Sequence, residues 1–355
     1  MTRTTGHGAD RSAGLRKRAG RGTAILILAL WAVTAELFAG RPDKAGTAAA
    51  PELLIPVGAA SIGYGGAGIA TATGVDGIFW NPAGLARTEF GSSVIVSHMA
   101  YLADINLEYA AAALNFTGVG AVGLSVKSLS IGDIPVTTEE QPDGTGETTS
   151  PTMLVVGGTF ARKISDRISM GVTVTYIYES MAKVSASGVC FTAGVQYTGL
   201  GGIDGLEFGV ALKNLGPGMQ YSGDGLLRNG VVVDASRPAS PILIQAETND
   251  LPSSIDIGLG YTMKLDEENA LLISSSFLNN NYTEDEYELG GQYSYQQRFF
   301  VRGGYDFSNS DYIYGATFGF GVKTVVSDIT IQVDYAYRSV QYFSGNHVIS
   351  LQFGL

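Results

Sequence analysis

From Ser92 to the C-terminus, apolar and polar residues alternate with a period of two. Ile329, Ile331, Val333, Tyr335 and Tyr337 share one parity, and Thr330, Gln332, Asp334, Ala336 and Arg338 the other. Phe299, Val301, Tyr305 and Phe307 likewise oppose Arg302, Gly304 and Asp306. Tyr287, Leu289, Tyr293 and Tyr295 oppose Glu288, Gly290, Gln292 and Ser294. This period sends successive side chains to opposite faces of a strand. A soluble sandwich alternates too, but its exposed face would carry more Lys and Glu. Only 15% of the residues are charged, against about 25% in soluble domains. Glycine, at 48 residues, and tyrosine, at 18, are abundant, as suits strands between lipid and a lumen. Beyond the N-terminal region no stretch approaches an uninterrupted apolar 20-mer. A membrane location therefore requires a closed barrel, the one β-architecture that leaves no unpaired backbone in lipid.

About fourteen strands are expected, an even number as in bacterial single-chain barrels. They begin near Ser92, Leu107, Val119, Pro151, Arg167, Ser185, Ile203, Ser253, Asn269, Glu286, Arg298, Tyr312, Asp328 and Gly345. Short turns are expected at 117–118, 165–166, near 201–202, at 266–268, at 296–297 and at Ser327, alternating with longer links that include 131–150 and 216–252. Short periplasmic turns and long external loops are the outer-membrane pattern, with both termini in the periplasm. The last residues, HVISLQFGL, place Ile349, Leu351, Phe353 and Leu355 on one face. They resemble the terminal strand by which such barrels are recognised for insertion, although Leu355 replaces the usual aromatic.

Residues 1–39 read as a secretory signal peptide. Arg11, Arg16, Lys17, Arg18 and Arg21 precede an apolar run over 23–35, followed by small residues with candidate cleavage after Ala35 or Ala39. The run is too short to span a bilayer as a helix, and no cysteine follows it as a lipoprotein signal would need. The net charge of −11 argues against nucleic acid as a partner. A single cysteine, Cys190, rules out a disulfide framework and reads as a small packing residue.

Residues 40–90 form a separate N-terminal segment before a barrel over 91–355. Its Gly/Ala-rich stretch from 51 to 87 lacks period-two patterning, yet Ile69, Val75, Ile78, Phe79, Trp80 and Leu85 make it too apolar for a disordered linker. Short helices and turns, folded into the barrel mouth as a plug, are expected. Within it lies FWNPAGLA, with Trp80, Asn81, Pro82, Ala83, Gly84 and Leu85 at its centre. Pro82 biases Asn81 away from helix, Asn81 can bond nearby backbone, and Gly84 permits a tight turn. The motif reads as a rigid turn anchoring the plug to the wall, the sharper alternative being direct ligand contact.

That motif, after IPVGAASIGYGGAGIATATGVDG, resembles the PorV/PorQ family of outer-membrane proteins, a branch of the FadL-like barrels. The likeness continues through SHMAYLADINLEYAAAAL, GLSVKSLSIGDIPVTTEEQPDGTGE and ALKNLGPGMQY, and covers nearly the whole chain beyond the signal. It implies a fourteen-stranded barrel with an N-terminal plug. Two functions follow from it. One is a type IX secretion factor that takes secreted cargo proteins to surface attachment machinery. The other is a FadL-like channel for a hydrophobic ligand. Outer-membrane lipid is the expected surrounding in either case.

Other motifs carry less. Gly63, Gly65, Gly66 and Gly68 suggest a phosphate loop, but no Lys-Ser/Thr follows and they join no strand to an amphipathic helix. His98 and His347 fall near the outer ends of the first and last strands, as a metal or catalytic pair or, preferred by their lipid-facing parity, as interfacial histidines. Glu139, Glu140, Asp143 and Glu147 lack the EF-hand spacing and read as a solvated loop. No catalytic constellation, metal site or cofactor is expected, and the chain does not read as an enzyme. Lys127, Glu288, Arg302, Asp306, Asp334 and Arg338 are expected to face the lumen, because lipid would penalise them; charges so placed line a wet lumen or hold the plug, a selective path being the alternative. Their polarity predicts wet late-strand walls, with any apolar pocket confined to the external mouth near 216–252.

Overall fold

The computed structural model describes residues 42–230, 240–308 and 312–355. The expected signal peptide over 1–39 lies outside the described residues. Fourteen antiparallel strands close into one barrel: β1 Ser92–Ala100, β2 Asn106–Phe116, β3 Gly120–Ser130, β4 Thr152–Lys163, β5 Ile168–Met181, β6 Val184–Thr198, β7 Leu206–Leu215, β8 Ser254–Lys264, β9 Asn269–Asn280, β10 Glu286–Tyr295, β11 Phe299–Ser308, β12 Tyr314–Val326, β13 Ile329–Val340 and β14 Asn346–Gly354. Every strand pairs with its sequence neighbour, and β1 closes on β14 through Ser93↔Gly354 to Ala100↔His347. Closure removes both sheet edges, the condition for backbone in lipid.

Burial follows the alternation. In β5 it alternates between buried and exposed for nine consecutive residues, 169–177. Outward positions are apolar, among them Val94, Val96, Leu124, Val172, Val301, Phe318 and Phe320. Outward aromatics meet across strands, Tyr287 stacked on Phe307 at 5.5 Å and Phe320 tilted against Tyr335 at 5.3 Å. Such a face is stable against hydrocarbon and costly in water.

The short turns lie at one end together with Leu355, whose carbonyl accepts from Gly91 at 2.7 Å. They include the two-residue turn Ser327–Asp328, with both φ positive as a twisted hairpin requires. At the opposite end, two links are long, 131–151 and 216–253, and both carry small ladders of their own, such as Met219–Gln220 with Thr248–Asn249. The alternation is weaker there than the sequence suggested: Ala182 and Lys183 alone join β5 to β6 at this end, because that hairpin closes tightly with Ala182 in the left-handed region.

Residues 42–91 run through the interior. They are built from short 3-10 turns and two short helices, α1 Ala59–Gly63 and α2 Gly77–Trp80. The expectation of a segment seated in the mouth is corrected: it traverses the full depth of the barrel. At the long-link end Ala49 N–H donates to the Asp250 carbonyl at 3.0 Å, and Lys44 pairs with Asp250 at 3.2 Å. At the short-turn end Phe90 lies against Gly354. Inward glycines on the wall make room for this backbone; at Gly290 and Gly304 a Cβ would collide with Tyr64 and Gly65.

Candidate functional site

The interior segment is pegged to the wall at several heights. Asn81 is fully buried. Its Nδ2 donates to the carbonyls of Ile69 (2.9 Å), Val195 (3.1 Å) and Val210 (3.3 Å), and its Oδ1 accepts from Ala83 N–H at 3.1 Å. One side chain thus joins the segment to β6 and β7 and caps the 3-10 turn Pro82–Arg87. Pro82 and Asn81 sit against Gly171 and Gly194, where no larger residue would fit. Ala83, Gly84 and Leu85 are buried below, and Trp80, 4% exposed, donates to the Val57 carbonyl at 3.2 Å. Every polar atom of the Asn81 side chain is thus committed to protein. Further pegs are Gln196 to the Ile69 and Ala72 carbonyls, Ser274 to the Ala67 carbonyl, and Ala59 N–H to Ser350. Nearest the short turns, Arg87 pairs with Glu207 at 2.5 Å and Gln196 at 3.0 Å.

The six charged residues singled out from parity are all buried and divide into three groups. Lys127 donates to the Leu53 and Ile55 carbonyls at 3.4 and 3.1 Å and lies 4.8 Å above the Phe79 ring. Arg302 pairs with Asp334 at 2.6 Å and donates to Gln292 at 2.6 Å beneath α1. Glu288, Asp306 and Arg338 face a cavity. The late-strand wall is therefore not wet along its length: the segment seals the Arg302–Asp334 pair, whose side chains are 2% and 3% exposed.

The cavity, about 410 Å³, lies between the segment and the long-link end. Ile62, Phe79 and Trp80 are among the apolar residues of its segment-side lining. Asp256, Glu286, Glu288 and Asp306 face it from β8, β10 and β11, while Tyr101, Tyr282, Tyr312 and Tyr314 line it towards the long links. Among the described residues of 216–252 none contributes to its lining, which corrects the expected position of an apolar pocket; the long link packs instead over Ala49, Ala50 and Leu53 through Met219 and Leu251. Parity had not singled out Lys213, which pairs with Asp256 at 2.9 Å, nor Glu286. Asp256 stands between Ile255 and Ile257 in a period-two run, so the same signal was present there.

A second buried acidic pair joins segment to wall. Glu52 lies beside Glu179, whose Oε2 accepts from Tyr221 at 2.6 Å. Both Glu52 oxygens are buried without partners. Burial first, then the neighbouring Glu179, pushes the Glu52 carboxyl up to about 8.

The other candidates do not assemble. His98 and His347 point outwards, each with its own partner: Glu108 Oε1 2.6 Å from His98 Nδ1, and the Tyr335 hydroxyl 2.8 Å from His347 Nδ1. Glu139, Glu140 and Asp143 are exposed, as is Glu147. Among the described residues no group of three or more His, Cys, Asp or Glu gathers to hold a metal ion. Cys190 is buried.

A closed fourteen-stranded barrel with an apolar outer face and a pegged interior segment is an outer-membrane barrel of the secretion or transport type. The chain belongs to the family described as "Type IX secretion system protein PorV", whose model matches residues 39–280. No curated protein matches it in sequence. Among solved structures it is similar to the CymD monoaromatic hydrocarbon channel (TM-score 0.54, 15% identity, 84% of this chain and 97% of that one). It is also similar to the Ralstonia pickettii toluene transporter TbuX (0.54, 14%, 84% and 98%) and the Pseudomonas putida toluene transporter TodX (0.51, 12%, 83% and 96%). At these identities the likeness is one of fold.

Proposed function

We propose that this protein serves type IX secretion at the outer membrane, receiving secreted proteins at its external end and passing them to surface attachment machinery. The observation that carries the reading is the family match across residues 39–280. In this reading residues 1–39 are a cleaved signal peptide, 40–90 a plug and 91–355 the barrel in outer-membrane lipid, and the chain is not an enzyme. The pegged interior supports it: a segment held at every height by buried hydrogen bonds suits a docking scaffold better than an open pore. The polar inward faces at Lys127, Glu288, Arg302, Asp306, Asp334 and Arg338 also disfavour a fatty chain among them. Deleting the gene in its host should leave secreted cargo in the periplasm, with its surface display lost. Normal display, with lost uptake of a hydrophobic compound, would instead establish the second reading, a channel for hydrophobic small molecules. That reading draws on the fold shared with CymD and TbuX and on the apolar lining given by Ile62, Phe79 and Trp80.

A further inference from the structure

The acidic side of the interior cavity holds more negative charge than the protein neutralises. Glu288 on β10 stands directly across from Asp306 on β11 in the strand register. Two like charges in that relation repel unless something cationic lies between them. Neither they nor Glu286 has an ion-pair partner within 4 Å among the described residues, whereas Asp256 is taken by Lys213 at 2.9 Å. Lys127, Lys213 and Arg338 line the same cavity, and Lys213 and Arg338 act on Glu288 and Asp306 through charge, but from beyond ion-pair distance. Lys127 donates to two segment carbonyls. Arg338 stacks on Tyr314, 3.6 Å from the ring centre.

Hydrogen bonds do not make up the deficit. Asn280 Nδ2 donates to Glu286 Oε1 at 3.0 Å; the Tyr312 hydroxyl lies 3.0 Å from Glu286 Oε2 and 2.7 Å from Asp306 Oδ2, but its single proton serves one of them at a time. Glu288 Oε2 and Asp306 Oδ1 are buried with no partner, and both side chains line the cavity while being more than nine-tenths buried. A buried acceptor left in this state costs free energy that a donor arriving with a ligand would recover. Among the described residues no cluster of three such ligands is gathered as a metal ion would need. Opposite it, Ile62, Phe79 and Trp80 offer an apolar and aromatic surface. The volume, about 410 Å³, falls within the small-molecule range of about 300–1,000 Å³.

We infer that this cavity is a binding site for a small amphipathic amine, with its ammonium group between Glu288, Asp306 and Glu286 and its apolar body against Phe79 and Trp80. The site is independent of the secretion role, since it lies inside the barrel and, among the described residues, takes none from the long link 216–252. An ammonium carries three donors and one positive charge, so it supplies the missing partners and separates the cross-strand pair. A carboxylate of the same shape meets four acids, and a neutral alcohol brings one donor and no charge.

The test uses the purified full-length barrel in detergent. Binding of 2-phenylethylamine, 2-phenylethanol and 3-phenylpropionate is read through the fluorescence of Trp80 and by calorimetry. The amine should bind saturably at one site, with the alcohol and the acid weaker by about tenfold or more. Asp306→Asn and Glu288→Gln keep the side-chain shapes and remove the charge; each should weaken the amine by about tenfold or more. Both variants should also resist heat at least as well as the parent without ligand, since repulsion is relieved. Equal binding of the alcohol or acid, or amine binding unchanged in both variants, overturns the inference. Loss of amine binding through misfolding is recognised separately, because a misfolded variant loses its heat-resistant band on electrophoresis. A variant that misfolds is replaced by Glu286→Gln at the same cluster.

Discussion

Asn81 makes four side-chain hydrogen bonds, as many as Arg87, and its amide suits its surroundings. Carbonyls of Ile69, Val195 and Val210 converge on Nδ2 while Ala83 N–H points at Oδ1. Replacing a donor by nothing leaves buried carbonyls unpaired, at about 1–3 kcal/mol; replacing it by a carboxylate aims charge at them. Asn81→Ala should therefore loosen the segment, and Asn81→Asp more so, with the strands intact. Proteolysis of the folded barrel checks this: cleavage within 42–90 should rise in the order parent, Ala, Asp. Equal protection of the Asp variant would contradict the anchoring role. Glu52 gives the segment a pH dependence. Its carboxyl is raised from an ordinary value of 4.5 to about 8, so its contribution to docking is fully present below the unfolded value and is lost as pH rises through about 8. Protection of residues 42–55 from hydrogen exchange should fall between the ordinary value of 4.5 and about pH 8, and Glu52→Gln should flatten that fall. An unchanged profile in the variant would remove Glu52 as the cause.

The interior segment and the strands were unequally readable. The strand starts fell within a few residues of their places because lipid on one side and protein on the other force a strict period of two, and because glycine and polar pairs mark the turns. The inward parity of Arg302, Asp334 and Lys127 was legible for the same reason. Their partners were not: Arg302 meets Asp334 across two strand pairings, and Lys127 meets carbonyls of Leu53 and Ile55, which no periodicity relates. The path of 42–91 was invisible because short turns stitched by backbone–wall bonds leave no repeating pattern. That path fixes a topology. Residues 42–50 sit with the long links and Glu89 with the short turns. Single cysteines at Ala45 and Gln141 should be labelled by an impermeant thiol reagent on intact cells. Cysteines at Glu89 and Asp266 should react only once the outer membrane is opened. The native Cys190 is buried and contributes little background. Labelling at Asp266 but not Gln141 would invert the orientation.

At the scale of the molecule, the barrel and its contents are built by different contacts. Fourteen strands close through their own ladders, while the segment is held by side chains and by glycines that admit it. The family match and the fold point to secretion or transport, and the interior segment, with buried pairs such as Arg302–Asp334 and Arg87–Glu207 at its contact with the wall, leads us to predict a closed barrel. The most direct measurement is therefore conductance in a planar bilayer, for the parent and for a form lacking residues 42–87. The parent should stay closed at steady voltage, and the shortened form should open a stable pore. A parent that conducts as freely as the shortened form would contradict an interior closed by its own N-terminal segment.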